Sequence, residues 1–229
     1  MARIFLKAIA ILALAWAGAA AAGQQGQPRI LFMGDSLLAA HAISGRAVSD
    51  ATAETLGEPV RDRSVVGARI LYRLPISGAL GLNIGKQYRA GPWQWVVLNG
   101  GGNDLWLGCG CARCARRMDK LISADGTGGR IPALVARLRA TGARVIWLGY
   151  LRSPGVNSPI EECRDEGDQL EARLAAMAAR DPGTYFLSLA DLVPYGDRSY
   201  HMADMIHPSL KASREIGRMV ARLIRAAEQ

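Results

Sequence analysis

The sequence predicts an α/β protein: a mostly parallel five-stranded sheet with helices on both faces. Two observations carry that expectation. Short apolar runs alternate along the chain with stretches of helical period, the pattern that right-handed strand–helix–strand crossovers require. One of those runs, Trp95-Val96-Val97-Leu98, is apolar at every position, as a strand buried on both faces must be. The chain has 229 residues, of which 50% are hydrophobic and 21% charged. That length and balance suit one globular domain, rather than two domains or a disordered segment.

The elements follow in order. Arg29-Ile30-Leu31-Phe32-Met33 reads as the first strand and stops at Gly34. A helical stretch is expected over residues 37–56, then a second, weaker strand over 60–66. Residues 95–98 make the third strand, 144–148 the fourth and 185–189 the fifth. Helical patterns occupy 131–140, 166–179 and, most clearly, 210–227. In that last segment Ile216, Met219, Val220, Leu223 and Ile224 fall on one face at helical spacing. No repeat or linker divides the chain. In sheets of this kind ligands bind outside the carboxyl ends of the strands, and the segments of chemical interest below fall at those ends.

The first residues are set apart. Arg3 and Lys7 precede the apolar run Ala8 to Trp16, and Ala20-Ala21-Ala22 supplies small residues before Gly23. This is the pattern of a secretory signal peptide, residues 1–22, cut after Ala22. The competing reading is an uncleaved anchor, for which the run is short. The expected mature domain is 23–229, exported to the periplasm or beyond, with no stable membrane anchor once the leader is removed. The formal net charge is +8, but the arginines scatter over helical stretches without aromatic interleaving. A solvated basic surface is therefore expected rather than a nucleic-acid partner. Four cysteines, Cys109, Cys111, Cys114 and Cys163, all lie beyond the leader. An even count in an exported chain predicts two disulfides, one of them tying Cys163 to the cluster. A zinc site is the alternative, and three pairings stay open.

Gly34-Asp35-Ser36-Leu37 stands where the first strand gives way to a helix. A serine there points into the crevice at the strand ends, although Asp or Ser before a helix is more often only a cap. A serine hydroxyl is a poor nucleophile near neutral pH and needs an aligned base. Of the three histidines, His41 falls within the first helical stretch and His201 in a loop. His207 lies in Asp204-Met205-Ile206-His207-Pro208, directly before the last helix. An Asp three residues ahead can reach one imidazole nitrogen and leave the other for a serine. Acyl transfer also needs donors for the developing oxyanion. The third strand runs into Asn99-Gly100-Gly101-Gly102-Asn103-Asp104, where Asn103 offers an amide, and Gly67 offers a backbone N–H after the second strand.

These four segments, in this order, resemble the SGNH (GDSL) hydrolase family. Gly34-Asp35-Ser36-Leu37 matches the nucleophile block, Gly67 the second, Gly101-x-Asn103-Asp104 the third and Asp204-x-x-His207 the last. The resemblance spans essentially the whole mature chain. It implies a three-layer α/β/α flavodoxin-like sandwich, with Ser36 as nucleophile, His207 as base and Asp204 as orienting acid. It also implies an oxyanion hole from the Ser36 N–H, the Gly67 N–H and Asn103, and catalysis without metal or cofactor. The Gly-x-Ser-x-Gly elbow of the other large esterase fold is absent, since Leu38 stands at its last position.

The substrate class implied is a carboxylic ester of a small molecule or a polysaccharide. One alternative is a carbohydrate or peptidoglycan O-acetylesterase. Another, of a different class, is a binding module that kept the fold. A cysteine-based redox or zinc protein is the third. The cysteine-bearing segment after Asn103 should border the cleft, with Trp106 as a candidate wall of the substrate pocket. The plainer expectation is that its bridges only stabilise an exposed loop.

Overall fold

The computed structural model describes residues 26–155 and 158–229; the leader expected at 1–22 lies outside them. Five strands, β1 (Ile30–Met33), β2 (Arg61–Asp62), β3 (Trp95–Leu98), β4 (Arg144–Leu148) and β5 (Thr184–Leu187), form one sheet. Their order is β2-β1-β3-β4-β5, and each neighbouring pair is parallel. This is the flavodoxin-like order, whose switch point lies between β1 and β3. The sheet is wholly parallel where the sequence predicted it mostly so.

The apolar strands divide their side chains by the two-residue period of the pleat. Leu31, Met33, Val96, Leu98, Val145 and Trp147 face one layer. That layer holds α3 (Gly102–Cys109), α4 (Ala115–Leu121), α5 (Arg130–Arg139) and α6 (Arg164–Ala178). Ile30, Phe32, Trp95, Val97, Ile146 and Leu148 face the other. There α1 (Ser36–Ala39), α2 (Val48–Leu56) and α7 (Leu210–Ala227) pack.

The last helix has the bounds its periodicity predicts. Its cap Ser209 accepts the Ala212 N–H, and Ile216, Val220 and Ile224 are fully buried, each contributing about 1.5–3 kcal/mol. It meets α2 so closely that a Cβ at Gly217 would lie 2.6 Å from the Ala51 Cβ. Gly217→Val would force the two helices apart.

Three expectations are corrected. The helix expected over 37–56 is two helices. Between them His41 takes a left-handed conformation (φ 65°) and Gly45 another (φ 64°), and a 3-10 turn, Ala42–Ser44, fills the gap. The strand expected over 60–66 pairs only at Arg61 and Asp62. There the Asp62 carboxylate accepts both the Ser64 N–H (2.8 Å) and the Ser64 hydroxyl (2.6 Å), which turns the chain out of the ladder. The fifth strand, expected over 185–189, begins at Thr184 and ends at Leu187; Leu189 is nonetheless fully buried. No helix among the described residues is long and apolar enough to cross a membrane.

Candidate active site

The switch point brings the turn after β1 against the segment after β3. Gly34 ends β1 with its N–H donated to Gln87 Oε1 (2.6 Å) and its carbonyl accepting from Gln87 Nε2 (2.8 Å). A Cβ at Gly34 would fall 2.0 Å from Asn99 Oδ1, so only glycine fits. Asn99, at the end of β3, grips the next residue twice. Its Oδ1 accepts the Asp35 N–H (3.0 Å) and its Nδ2 donates to Asp35 Oδ1 (2.7 Å). Asp35 also caps α1 by accepting the Leu37 N–H (3.0 Å).

The other carboxylate oxygen of Asp35 accepts from the Tyr150 hydroxyl, which in turn accepts the Gly102 N–H (3.1 Å). Burial pushes the Asp35 carboxyl up from its usual range, against the hydrogen bonds of Tyr150, Asn99 and Leu37. Burial, then the Asp35 charge, pushes the Tyr150 phenol well above its ordinary value, so it stays protonated and donates. Asp104 is fully buried and anchors the loop after β2 by accepting the Ile70 and Leu71 N–H groups (2.8 and 2.9 Å). Burial pushes its carboxyl up as well, against those two bonds.

This buried lattice presents Ser36, the first residue of α1, at the cleft. Ser36, Asn103, Trp106 and His207 all line it. The Asp204 Oδ2 accepts from His207 Nδ1 at 2.6 Å, while Asp204 Oδ1 accepts the Ile206 and His207 backbone N–H groups, both at 3.0 Å. Burial pushes the Asp204 carboxyl up, but the bonds from the His207 ring and the His207 and Ile206 backbone outweigh it and hold the carboxyl low. It is therefore ionised and fixes the ring with Nε2 as the remaining nitrogen. No direct hydrogen bond joins Ser36 to His207 among the described residues; such contacts tighten when substrate binds.

The other histidines are engaged or shielded. His41 Nε2 bonds the Pro208 carbonyl (2.9 Å), bracing the loop that carries His207. His201 is buried, and burial lowers its pKa against the pull of Asp204, so its ring is neutral. Asn103 Nδ2 donates to the Ala68 carbonyl (3.2 Å), tying it to the turn that contains Gly67. Gly67 is left-handed (φ 76°) and is not among the residues lining the cleft. The cysteines form the bridges Cys109–Cys114 and Cys111–Cys163. Cys111 and Cys163 themselves line the cleft. No cluster of His, Cys, Asp and Glu that could hold a metal ion occurs among the described residues.

A family model, the GDSL-like lipase/acylhydrolase family, matches residues 32–214. The chain belongs to this family. It is accordingly an ester-cleaving hydrolase. Solved structures of the same fold include a carbohydrate esterase family 2 enzyme with a carbohydrate-binding domain from Corynascus thermopiles (TM-score 0.61, 15% identity, 88% of this chain and 67% of that one). An acetyl xylan esterase from Butyrivibrio proteoclasticus is similar too (0.53, 14%, 87% and 64%). So is a family two carbohydrate esterase from Clostridium thermocellum in complex with cellohexaose (0.51, 17%, 88% and 65%). At these identities the likeness speaks for the fold alone. No curated protein sequence matches the chain.

Sequence reasoning missed Gln87, Tyr150 and the double grip of Asn99. Asn99 had a signal, a polar residue closing an all-apolar strand. Tyr150 had a weaker one, its place just past the end of β4. Gln87 had none.

Proposed function

We propose that this acylhydrolase cleaves carboxylic esters through a Ser36–His207–Asp204 triad and an acyl-enzyme. The observation that carries the reading is the 2.6 Å contact of Asp204 with His207 Nδ1, on a ring that shares its cleft with Ser36. His207 Nε2 takes the hydroxyl proton as Ser36 attacks the carbonyl, then gives it to the leaving alcohol. Water repeats the sequence on the acyl-enzyme. Asn103 has a second amide hydrogen beyond the one given to Ala68, and that hydrogen serves the oxyanion with the Ser36 N–H. A fluorophosphonate probe should label Ser36, and Ser36→Ala should lose both the label and p-nitrophenyl ester turnover by about 10³-fold or more. Undiminished turnover in a folded Ser36→Ala protein ends the reading.

The second reading, a carbohydrate O-acetylesterase, is favoured by the carbohydrate esterases among the structural neighbours. Release of acetate from acetylated xylan tests it. Two disulfides support an oxidising compartment, and with it export to the periplasm or medium.

A further inference from the structure

We propose that the loop between β2 and β3 docks on a bilayer rich in anionic phospholipid, its apolar tip entering the headgroup region and its cations meeting the phosphates. The inference stands apart from the triad reading, since it uses no residue of the cleft. Residues 61–89 carry six basic side chains and a single acidic one, Asp62. Asp62 is occupied by the Ser49 and Ser64 hydroxyls, both at 2.6 Å. Among the described residues, none of the six cations pairs with a carboxylate. Arg61, Arg63, Lys86 and Arg89 line one surface hollow. Burial, then the like charges of Arg89 and Arg61, lowers the pKa of the Arg63 guanidinium, the mark of cations crowded without a counter-ion.

The same loop holds its apolar side chains out. Leu80, in the hollow itself, is 77% exposed. Leu74 and Ile76, at the tip, are 64% and 79% exposed. The tip is braced from below. The Arg69 N–H donates to the Leu82 carbonyl (2.9 Å) and the Ile84 N–H to the Arg69 carbonyl (3.1 Å), while Asn83 Nδ2 donates to the Tyr72 carbonyl (2.9 Å). At the base Asp104 holds the Ile70 and Leu71 N–H groups. These bonds tie the two arms of the loop together and keep residues 74–80 from folding onto the core. Large apolar side chains held in water beside unpaired cations mark a contact surface. Charge complementarity calls for a polyanion, and the apolar tip chooses among polyanions. A soluble glycan or nucleic acid neutralises the cations but leaves Leu74, Ile76 and Leu80 in water. A bilayer takes both, since its phosphates lie level with the cations and its acyl boundary just beneath.

The test is co-sedimentation of the protein, purified from cells expressing the full chain, with vesicles of phosphatidylglycerol and phosphatidylcholine in equal parts. Vesicles of phosphatidylcholine alone serve as reference. Binding to the anionic vesicles should be tighter by about tenfold or more and should weaken as NaCl rises from about 0.05 to about 0.5 M. Arg61→Gln/Arg89→Gln should weaken it by about 25-fold, about fivefold for each cation. Ile76→Ser/Leu80→Ser should weaken it by about tenfold or more with the charge unchanged. Arg214→Gln/Arg222→Gln, at exposed positions of α7, removes the same charge elsewhere and should bind as the parent does. All of the substituted side chains are exposed, and circular dichroism checks that each variant folds; the single variants Ile76→Ser and Leu80→Ser replace a pair that does not. Absence of binding to the anionic vesicles overturns the proposal. So does an α7 pair that weakens binding as much as the loop pair, because net charge alone then does the work. Binding that depends on Arg61 and Arg89 but not on Ile76 and Leu80 overturns it in favour of a soluble polyanion. A dimer in sedimentation velocity that Ile76→Ser/Leu80→Ser dissolves overturns it in favour of a second copy of the chain.

Discussion

The turn bearing Ser36 and the loop bearing His207 meet across one cleft, yet they are held in opposite ways. Around Ser36 the fixing groups come from far along the chain and are buried: Gln87 lies 53 residues from Gly34, Asn99 64 from Asp35, and Tyr150 115 from Asp35. The His207 side chain itself is held locally and partly exposed: Asp204 is three residues away, with side chains 30% and 41% exposed for His207 and Asp204. The long-range braces, His41 to the Pro208 carbonyl and Ser158 to the Met205 carbonyl, act on the loop backbone. A position fixed by long-range buried bonds is bound up with folding itself. One fixed by a short exposed loop can be changed with little cost to stability. The two regions should therefore respond to substitution in different currencies, one in stability and the other in rate.

The largest expected effect is on the loop. His207→Ala should reduce ester turnover by about 10⁴-fold or more, and Asp204→Asn by less, since the base survives without its orienter. The unfolding free energy of His207→Ala, from thermal and urea curves, should stay within about 0.5 kcal/mol of the parent, as for substitutions away from the core. A loss of stability as large as that of a core substitution would break the contrast. Stopped-flow or steady-state kinetics beside denaturation curves measure both quantities.

Gln87→Ala should do the reverse. It strips the partner from the Gly34 N–H (2.6 Å) and the Gly81 carbonyl (2.8 Å), and leaves the Gly34 carbonyl with only the Val65 N–H (3.0 Å). A buried group left without its partner costs about 1–3 kcal/mol. Urea denaturation should show that loss while the fluorophosphonate reaction per folded molecule falls far less than in His207→Ala. A midpoint that does not move would mean that the lattice under Ser36 is not under load.

The same contrast explains what could be read in advance. Asp204-x-x-His207 is a local pattern, and a carboxylate three residues from an imidazole is legible because the chain itself supplies the distance. The α7 bounds were legible for a like reason: one apolar face repeats at helical period from Leu210 to Ala227. Gly34-Asp35-Ser36-Leu37 was legible only through its match to a known pattern. Its supports were hidden, since nothing local tells that Gln87, in an irregular stretch after a 3-10 turn, will fold back under Gly34. The split of the helix expected over 37–56 failed for the same physical reason. His41 is held left-handed by a contact with Pro208 167 residues away, and helical periodicity carries no trace of it. The cysteine pairing needed the α3–α6 juxtaposition before one of three choices stood out.

Two carboxylates sharpen the comparison further, with the smallest effect of those considered. Asp35 is buried, and burial raises its folded pKa above the ordinary value of 3.8. Its share of stability is full below that value and is lost as pH rises through the folded pKa. Asp181, remote from the cleft, behaves oppositely. Its hydrogen bond from Arg139 (2.7 Å) leads the causes that lower it to about 2, against burial and aided by the Gly183 N–H and Thr184 hydroxyl. Its share is present above 3.8 and lost as pH falls through about 2. Because the Asp181 side chain is 37% exposed, solvent screening limits that share to about 1 kcal/mol or less. Carboxyl NMR of the folded protein should show Asp181 titrating near 2, and Asp181→Asn should lower stability at pH 6 by that small amount while its deficit vanishes toward pH 2. A deficit that persists undiminished at pH 2 would assign the effect to the neutral hydrogen bonds rather than to the charge.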